Sequence, residues 1–161
     1  MRRVPLAATE PGDEGDRPEG FRRRGVRLGT VVGAERSGAS LYELPPGQAV
    51  CPYHYEHADE EWLLVLSGHP SARTPEGVVQ LDPMDLVFFP IGPEGAHQIR
   101  NDTGTPVRIL MWSTMGWPSV TVYPDSDKVG VYTRDGADDV VVRRASGVGY
   151  YDGETTAGPP V

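Results

Sequence analysis

Two short segments of the sequence concentrate the side chains that bind metal ions. His54 and Glu56 stand two positions apart, and Glu61 opens the apolar run that follows them. In the second segment, His97 follows a turn rich in proline and glycine. Because residues two apart on a strand point to the same face, His54 and Glu56 can share one site. Imidazole nitrogens and carboxylate oxygens together suit Zn, Fe, Mn or Ni, so the pattern favours a divalent transition-metal centre.

The elements that must position these side chains are short strands. Glycine and proline supply 20 and 16 of the 161 residues, which excludes a helical bundle because both residues are costly inside a helix. From Val26 onward, apolar runs alternate with turn clusters of Pro, Gly, Asn and Asp; the runs are 26–32, 39–44, 61–67, 78–81, 86–89, 97–100 and 107–114. Strands at such close spacing predict an all-β sandwich or barrel.

The chain divides into three parts by composition. Residues 1–25 are charged and rich in proline and glycine, and we expect an irregular N-terminal arm. Residues 26–115 hold the strand pattern and both histidine segments, so they are predicted to form the β-barrel. Residues 116–161 predict a C-terminal extension that packs on the barrel or on a partner subunit.

Charge and composition exclude several classes of partner. With 23 acidic against 15 basic residues, the formal net charge is −8, which argues against a nucleic-acid binder. Apolar runs stay far below the roughly 18 residues of a membrane span, and the N-terminus lacks the apolar core of a signal peptide. The lone Cys51 excludes a disulfide framework, and we expect it to be a buried structural thiol. A cytoplasmic protein is therefore expected, with neither nucleic acid nor membrane as partner.

Both histidine segments resemble the two cupin motifs, in the correct order. The segments are GQAVCPYHYEHADEEWLLVLSG (47–68) and MDLVFFPIGPEGAHQIRN (84–101). The first matches a glycine, a His-x-His pair, a glutamate and a closing glycine, except that Glu56 replaces the second histidine. The second matches a Pro-x-Gly turn, a histidine and an asparagine, with Met84 in place of the opening glycine. The resemblance spans about residues 26–115 and is strongest to small single-domain cupins with a Tyr-Pro-Asp tail, here 123–125.

The resemblance implies a fold and a ligand set. The fold is the cupin double-stranded β-helix, a jelly-roll barrel. His54, Glu61 and His97 match family metal ligands, and Glu56 occupies the position of a fourth ligand, where it either binds the metal or acts as an acid–base group. His57 is a reserve ligand that should face the other way unless a bulge intervenes.

Several other side chains are candidates for the barrel interior. Strand alternation can aim Tyr55, Arg100 and Met111 into the cavity, where an inward arginine would bind a carboxylate or phosphate with two hydrogen bonds. For Glu61, the alternative to metal binding is an ion pair with Arg100 or Arg108.

Further residues are expected to be structural. Asp59 and Glu60 read as a solvated acidic turn, and His57 and His69 as surface residues. Trp62, Phe88, Phe89 and Trp112 read as barrel-wall core.

Two functions remain open from the sequence, which leaves the choice between enzyme and non-enzyme undecided. The first is a metal-dependent enzyme acting on a small polar or anionic molecule (a sugar, sugar phosphate or keto acid), with isomerase, dioxygenase or decarboxylase chemistry. The second is a non-catalytic cupin that binds or senses a small ligand, with or without metal. Because open barrel edges need cover, and a second subunit often supplies it in cupins, we expect a homodimer with the arm or tail at its interface.

Overall fold

Short strands follow one another along the described part of the chain, residues 1–156 of this computed structural model. They are β1 (Gly12–Asp13), β2 (Arg24–Arg27), β3 (Ser37–Leu44), β4 (Tyr55–Glu56), β5 (Glu61–Ser67), β6 (Ser71–Thr74), β7 (Gly77–Gln80), β8 (Leu86–Phe89), β9 (Gln98–Arg100), β10 (Val107–Thr114), β11 (Ser119–Tyr123), β12 (Lys128–Tyr132) and β13 (Val140–Arg143). Helical structure in this part is limited to α1 (Leu28–Val32) and short 3-10 turns at Leu6–Ala8, Pro93–Gly95, Pro124–Ser126 and Arg144–Ser146.

The strands form antiparallel sheets whose order departs from chain order. The largest sheet runs β1-β2-β3-β10-β5-β8, a second runs β13-β12-β11-β4, and a third runs β7-β6-β9. Strand β10 therefore lies between β3 and β5, and its eight residues pair in full register with β3. Such long-range antiparallel crossovers are those of a double-stranded β-helix. The predicted all-β jelly-roll barrel is confirmed.

Alternation along the two central strands builds the core. On β5, Leu63 and Val65 are fully buried, and on β10 the same is true of Val107 and Ile109. Fully burying an aliphatic side chain contributes about 1.5–3 kcal/mol, so these two strands anchor the barrel. Glu61 is the first residue of β5 and lies at the end of this core, next to His54 and His97.

Four large aromatic side chains were expected in the barrel-wall core, and the structure places one of them there. Phe89 is buried as predicted, but Phe88 is 42% exposed. Trp62 and Trp112 are half-buried, stacked on each other with ring centroids 6.0 Å apart. Residues directly paired across antiparallel strands share a face, and Trp62 pairs with both Phe88 and Trp112. These three rings thus form an outer surface instead of the core.

The run 26–32, predicted to be one strand, divides into the end of β2 and the helix α1. Gly29 allows this change, since a Cβ there would lie 3.1 Å from the backbone nitrogen of Ala39 on β3. Gly33 ends the helix in the left-handed region, with φ of 65°. The close approach of the helix to β3 overrides the β-branched residues that favoured a strand.

The arm and the extension both contact the barrel. In the arm, β1 pairs with β2, and Arg108 of β10 donates to the carbonyl of Thr9 at 2.8 Å. In the extension, β11 pairs with β4, so it adds a strand beside the first histidine segment. The three-part division of the chain stays a prediction. None of the helices in residues 1–156 is long and apolar enough to cross a membrane.

Candidate metal centre

His54 and His97 lie side by side, joined by reciprocal backbone hydrogen bonds. The N–H of His54 donates to the carbonyl of His97 at 3.1 Å, and the N–H of His97 donates back at 2.8 Å. Residues paired in this way on antiparallel strands point to the same side. Their ring centroids accordingly lie 4.7 Å apart. The fold thus brings together two histidines that are far apart in the sequence.

Backbone carbonyls hold one nitrogen of each ring. Nδ1 of His54 lies 3.0 Å from the carbonyl of Pro52, and Nδ1 of His97 lies 2.9 Å from the carbonyl of Gly95. A carbonyl only accepts, so each Nδ1 carries a proton, and Nε2 of each ring is turned toward Glu61. Among the described residues, Nε2 of His97 is a buried atom without a hydrogen-bond partner. A histidine held by Nδ1 with a free, buried Nε2 is oriented as metal-ligating histidines are.

Glu61 completes a three-residue cluster. Its Oε2 lies 3.7 Å from Nε2 of His54 and 3.4 Å from Nε2 of His97. One ligand atom from each of the three residues lies within 4.8 Å of the others. The donor set and the orphaned Nε2 fit a divalent transition-metal ion, and three protein ligands leave coordination positions for a substrate. The ring of Phe89, stacked 3.8 Å from that of His97, fixes the second imidazole.

The pKa values of the titratable groups at the cluster favour the binding of a cation. Burial, followed by the charge of Glu61, raises the pKa of Glu56 to about 8. Burial also raises the pKa of Glu61, an effect that His54 opposes and Asp59 reinforces. Burial together with the charge of His54 lowers the pKa of His97 to about 3. Burial also disfavours the charged form of His54, but Cys51, Glu61 and Glu56 outweigh it and raise the pKa of His54 to about 10, so His54 carries the positive charge that a bound metal ion would replace. A positive ion among these groups would relieve the carboxylate repulsion and bind the neutral His97.

Glu56 lies beside the three-residue cluster instead of within it. Its Oε1 accepts a hydrogen bond from Oγ1 of Thr121 on β11 at 3.4 Å. The neighbouring Asp59 corrects an expectation: it is only 6% exposed, not part of a solvated turn. Its Oδ1 accepts from the N–H of Gly116 at 2.5 Å and from Oγ1 of Thr114 at 3.3 Å, which ties the end of β10 to this loop.

Two cavities meet at His54. The Glu61 cavity, of about 210 Å³, is lined by Tyr42, Cys51, His54, Glu61 and Met111 among others. The Tyr123 cavity, of about 490 Å³, is lined by Arg27, His54, Glu56, Tyr123 and Tyr132 among others. Spaces of this size suit a small molecule, and both border the three-residue cluster: the Glu61 cavity at His54 and Glu61, and the Tyr123 cavity at His54.

Sequence reasoning missed the two tyrosines of the Tyr123 cavity. The hydroxyls of Tyr123 and Tyr132 are hydrogen-bonded at 2.8 Å, and the Tyr123 ring stacks on that of His54 with centroids 6.1 Å apart. Strand β11 carries Tyr123 to this place by pairing with β4. The available signal was the Tyr-Pro-Asp tail: Asp125 accepts two hydrogen bonds from Arg73, at 2.6 and 2.9 Å, which anchors the turn after Tyr123.

The three predicted substrate-binding residues have different positions. Met111 is buried and lines the Glu61 cavity. Tyr55 is half-buried and lines neither cavity; its ring contacts that of the exposed His57, with centroids 5.4 Å apart. Arg100 does not point into the barrel, contrary to expectation: its side chain is 48% exposed and pairs with Asp102 at 3.1 Å. The preceding Ile99 occupies the buried face of β9, so alternation turns Arg100 outward.

Two further expectations concern Glu61 and Cys51. Neither Arg100 nor Arg108 pairs with Glu61, since Arg100 contacts Asp102 and Arg108 contacts the backbone of the arm.

Cys51 is half-buried instead of fully buried, and its Sγ lies 3.6 Å from Nδ1 of His54. Its thiol borders both cavities.

Comparison with known proteins agrees with this architecture. Residues 40–113 match the family model of the cupin domain. No curated protein matches the sequence.

Solved structures extend the similarity to nearly the whole chain. A protein from Acidithiobacillus ferrooxidans assigned as a sugar phosphate isomerase is 25% identical, with a TM-score of 0.79 over 89% of this chain and 91% of that one. A sugar phosphate isomerase of the cupin superfamily from Silicibacter pomeroyi is 23% identical, with a TM-score of 0.78 over 94% and 98%. A Thermotoga maritima protein predicted to be an oxalate decarboxylase is 18% identical, with a TM-score of 0.57 over 71% and 100%. The last two comparisons show the fold alone.

Proposed function

The chain belongs to the cupin superfamily, and from that premise we propose that it is a metal-dependent isomerase of a small, hydroxylated, anionic molecule of the sugar phosphate class. The observation that carries the proposal is the unpartnered Nε2 of His97, which faces Glu61 beside Nε2 of His54. The similarity to the Acidithiobacillus ferrooxidans structure supports the choice of isomerase over dioxygenase or decarboxylase.

Under this proposal, His54, Glu61 and His97 hold the metal. A bound divalent ion supplies Lewis acidity, which polarises a carbonyl or hydroxyl oxygen of the substrate. The backbone carbonyls of Pro52 and Gly95 hold the imidazoles in the ligating tautomer.

Glu56 moves the proton in this scheme. Its carboxylate lines the same cavity as His54 without belonging to the three-residue cluster, so it is free to act on the substrate. In an isomerisation it takes the proton from the hydroxyl-bearing carbon next to the carbonyl and returns it to the carbonyl carbon. The proton of that hydroxyl moves to the carbonyl oxygen, so the carbonyl and the hydroxyl exchange places. The reaction is internally balanced and needs no oxidant or co-substrate. General acid–base catalysis of this kind contributes about 10²- to 10⁴-fold.

Polar groups of the Tyr123 cavity orient the substrate. The Tyr123 and Tyr132 hydroxyls already bond to each other, so together they offer one free donor and additional acceptor capacity to a substrate hydroxyl. Met111 forms an apolar wall of the adjoining Glu61 cavity. Tyr55 lines neither cavity, and we assign it no contact with the substrate.

Proton exchange tests the proposed reaction directly. A hexose 6-phosphate incubated in D2O with metal-loaded protein should gain deuterium at the carbon next to the carbonyl, detected by proton NMR. Glu56→Gln keeps the shape of the side chain but cannot accept a proton, so exchange should fall by about 10²-fold or more while metal content stays unchanged. The matched control is Glu60→Gln, an exposed neighbour that lines neither cavity. Equal exchange by the wild type and Glu56→Gln would contradict the role of Glu56.

A binding or sensor cupin is the second candidate. It is favoured by Glu56 standing where a cupin ligand histidine is usual. A protein that retains metal and binds sugar phosphates, yet catalyses neither exchange nor product formation across a panel of them, would support this alternative over the isomerase.

A homodimer is proposed on the distribution of exposed apolar side chains. The edge patch consists of Val78, Val79, Met84, Leu86, Phe88 and Ile91, and the tail patch of Val140, Val141, Val142, Val148, Tyr150 and Tyr151. Exposed apolar side chains of this kind mark association surfaces, so we propose that the tail patch of one copy covers the edge patch of a second.

The dimer proposal is tested by light scattering after size exclusion. The wild type should elute as a dimer at micromolar concentration and Phe88→Asp as a monomer. Val31→Asp, which changes an exposed apolar residue outside both patches, should remain a dimer. A monomeric wild type would overturn the proposal.

A cytoplasmic location is part of the proposal. Its support is the single free thiol, Cys51, half-buried beside a ligand histidine, where an oxidising compartment would expose it to modification. Cell fractionation followed by immunodetection tests it, and recovery from an extracytoplasmic fraction would contradict it.

A further inference from the structure

We infer that Arg27 binds the anionic group of the substrate in the Tyr123 cavity. The inference rests on the proposed function, since the same cavity borders the metal centre at His54. Arg27 is the last residue of β2, ahead of the residues that match the cupin domain. Its backbone is held in place because it pairs with Ser40 of β3 on one side and leads directly into α1 on the other.

The two arginines of this cavity differ in their availability. Arg23 is fully engaged: its guanidinium donates to Glu14 and to the carbonyl of Val50, and it lies 4.1 Å over the ring of Tyr42. Arg27 is exposed and, within residues 1–156, its side chain makes neither a hydrogen bond nor an ion pair. A guanidinium offers five N–H donors and binds carboxylate or phosphate through two parallel hydrogen bonds. Arg27 is therefore the cation that remains free for a ligand.

The rest of the cavity explains why a separate cation is needed. Glu56 and Asp59 line it, so an anionic ligand meets repulsion at that end. Hydroxyl groups of Ser113, Ser119, Thr121, Tyr123 and Tyr132 also line it and suit a polyhydroxylated body. A molecule that presents oxygens to the metal centre and an anionic group to Arg27 would satisfy both sets of groups.

The proposed anion-binding arginine therefore lies on β2 and not on β9. The sequence pointed to Arg100 on β9, which the structure turns outward into a pair with Asp102. Arg27 supplies the same chemistry from β2. Specificity for an anionic substrate would then come from the strand that precedes the cupin domain.

Isothermal titration with three related ligands tests the inference. Glucose 6-phosphate, gluconate and glucose share a hydroxylated chain and carry a phosphate, a carboxylate and no charge. Metal-loaded wild type should bind at least one of the two anions more tightly than glucose. The anion that binds more tightly shows whether Arg27 prefers a phosphate or a carboxylate. Arg27→Ala should lower the affinity for that anion by about 10- to 100-fold, because charge-assisted hydrogen bonds are lost. The affinity for glucose should stay unchanged. Arg27→Lys should restore part of the affinity.

Controls separate this inference from the proposed function. Arg36→Ala removes another exposed arginine, one that lines neither cavity, and should bind all three ligands as the wild type does. Metal content is measured on the same samples by elemental analysis. A wild type that takes up no metal contradicts the proposed metal centre. Metal-loaded Arg27→Ala whose anion affinity stays within about twofold of wild type, or a wild type that binds glucose as tightly as both anions, overturns the role of Arg27.

Discussion

Gly95 offers a test of how the fold positions His97, because the backbone of Gly95 holds the imidazole of His97 while Gly95 itself supplies no metal ligand. A Cβ added at Gly95 would lie 1.7 Å from the carbonyl oxygen of Pro90, whereas such contacts require at least 3.0 Å. In Gly95→Ala the turn must therefore move by at least about 1 Å. The carbonyl that moves is the one that accepts from Nδ1 of His97 at 2.9 Å.

A displacement of this size is sufficient to break the hydrogen bond that orients the imidazole. Loss of such a supporting contact lowers metal affinity by about 10- to 100-fold, so we expect that loss for Gly95→Ala. The distortion should also lower Tm, because Gly92 in the same turn donates to the carbonyl of Glu56 at 2.7 Å.

The assay is competition titration of Zn²⁺ against a chromophoric chelator, with Tm measured in parallel. Gly104→Ala is the matched control, since a Cβ there meets nothing within 4 Å and the residue lies in an exposed loop. It should bind Zn²⁺ as the wild type does. If folded Gly95→Ala bound Zn²⁺ with wild-type affinity, the reasoning that the turn carbonyl orients His97 would be wrong.

Two further predictions concern buried polar groups. Asn101 is fully buried, and its Nδ2 donates to the carbonyls of Leu44 and Thr105, both at 2.8 Å. Asn101→Ala leaves both carbonyls without this donor and should lower the free energy of unfolding by about 2 kcal/mol or more in urea titration, and an unchanged midpoint would contradict this. Tyr123→Phe removes the hydroxyl bonded to Tyr132 and should weaken sugar phosphate binding several-fold while Zn²⁺ affinity stays the same. A fall in Zn²⁺ affinity instead would show that this hydroxyl supports the metal centre.

The fold was largely predictable because local signals and tertiary packing agree over most of the barrel. Strands β5 and β10 coincide with the apolar runs 61–67 and 107–114. The exception at α1 arises where packing against β3 decides the conformation, as the close contact of Gly29 shows. A pattern of apolar residues carries no record of such a contact.

The candidate site was predictable in its residue types but not in its geometry. Motif spacing identified His54, Glu61 and His97, which the structure brings into one cluster. The direction of Arg100 depends on the register of β9 and the burial of Ile99, which sequence alternation alone does not determine. The contribution of Tyr123 depends on the pairing of β11 with β4, a contact between segments distant in the chain.

The clustering of His54, Glu61 and His97 into a metal centre is tested most directly by metal stoichiometry. Elemental analysis of protein purified without chelator, and after saturation with Zn²⁺ and removal of the excess, should give close to one equivalent for the wild type. His97→Ala should lose the ion because one of three strong ligands is gone. His69→Ala, which changes an exposed histidine paired with Asp82, should retain it. Less than about a tenth of an equivalent in the saturated wild type, or equal metal in His97→Ala and wild type, would contradict the account.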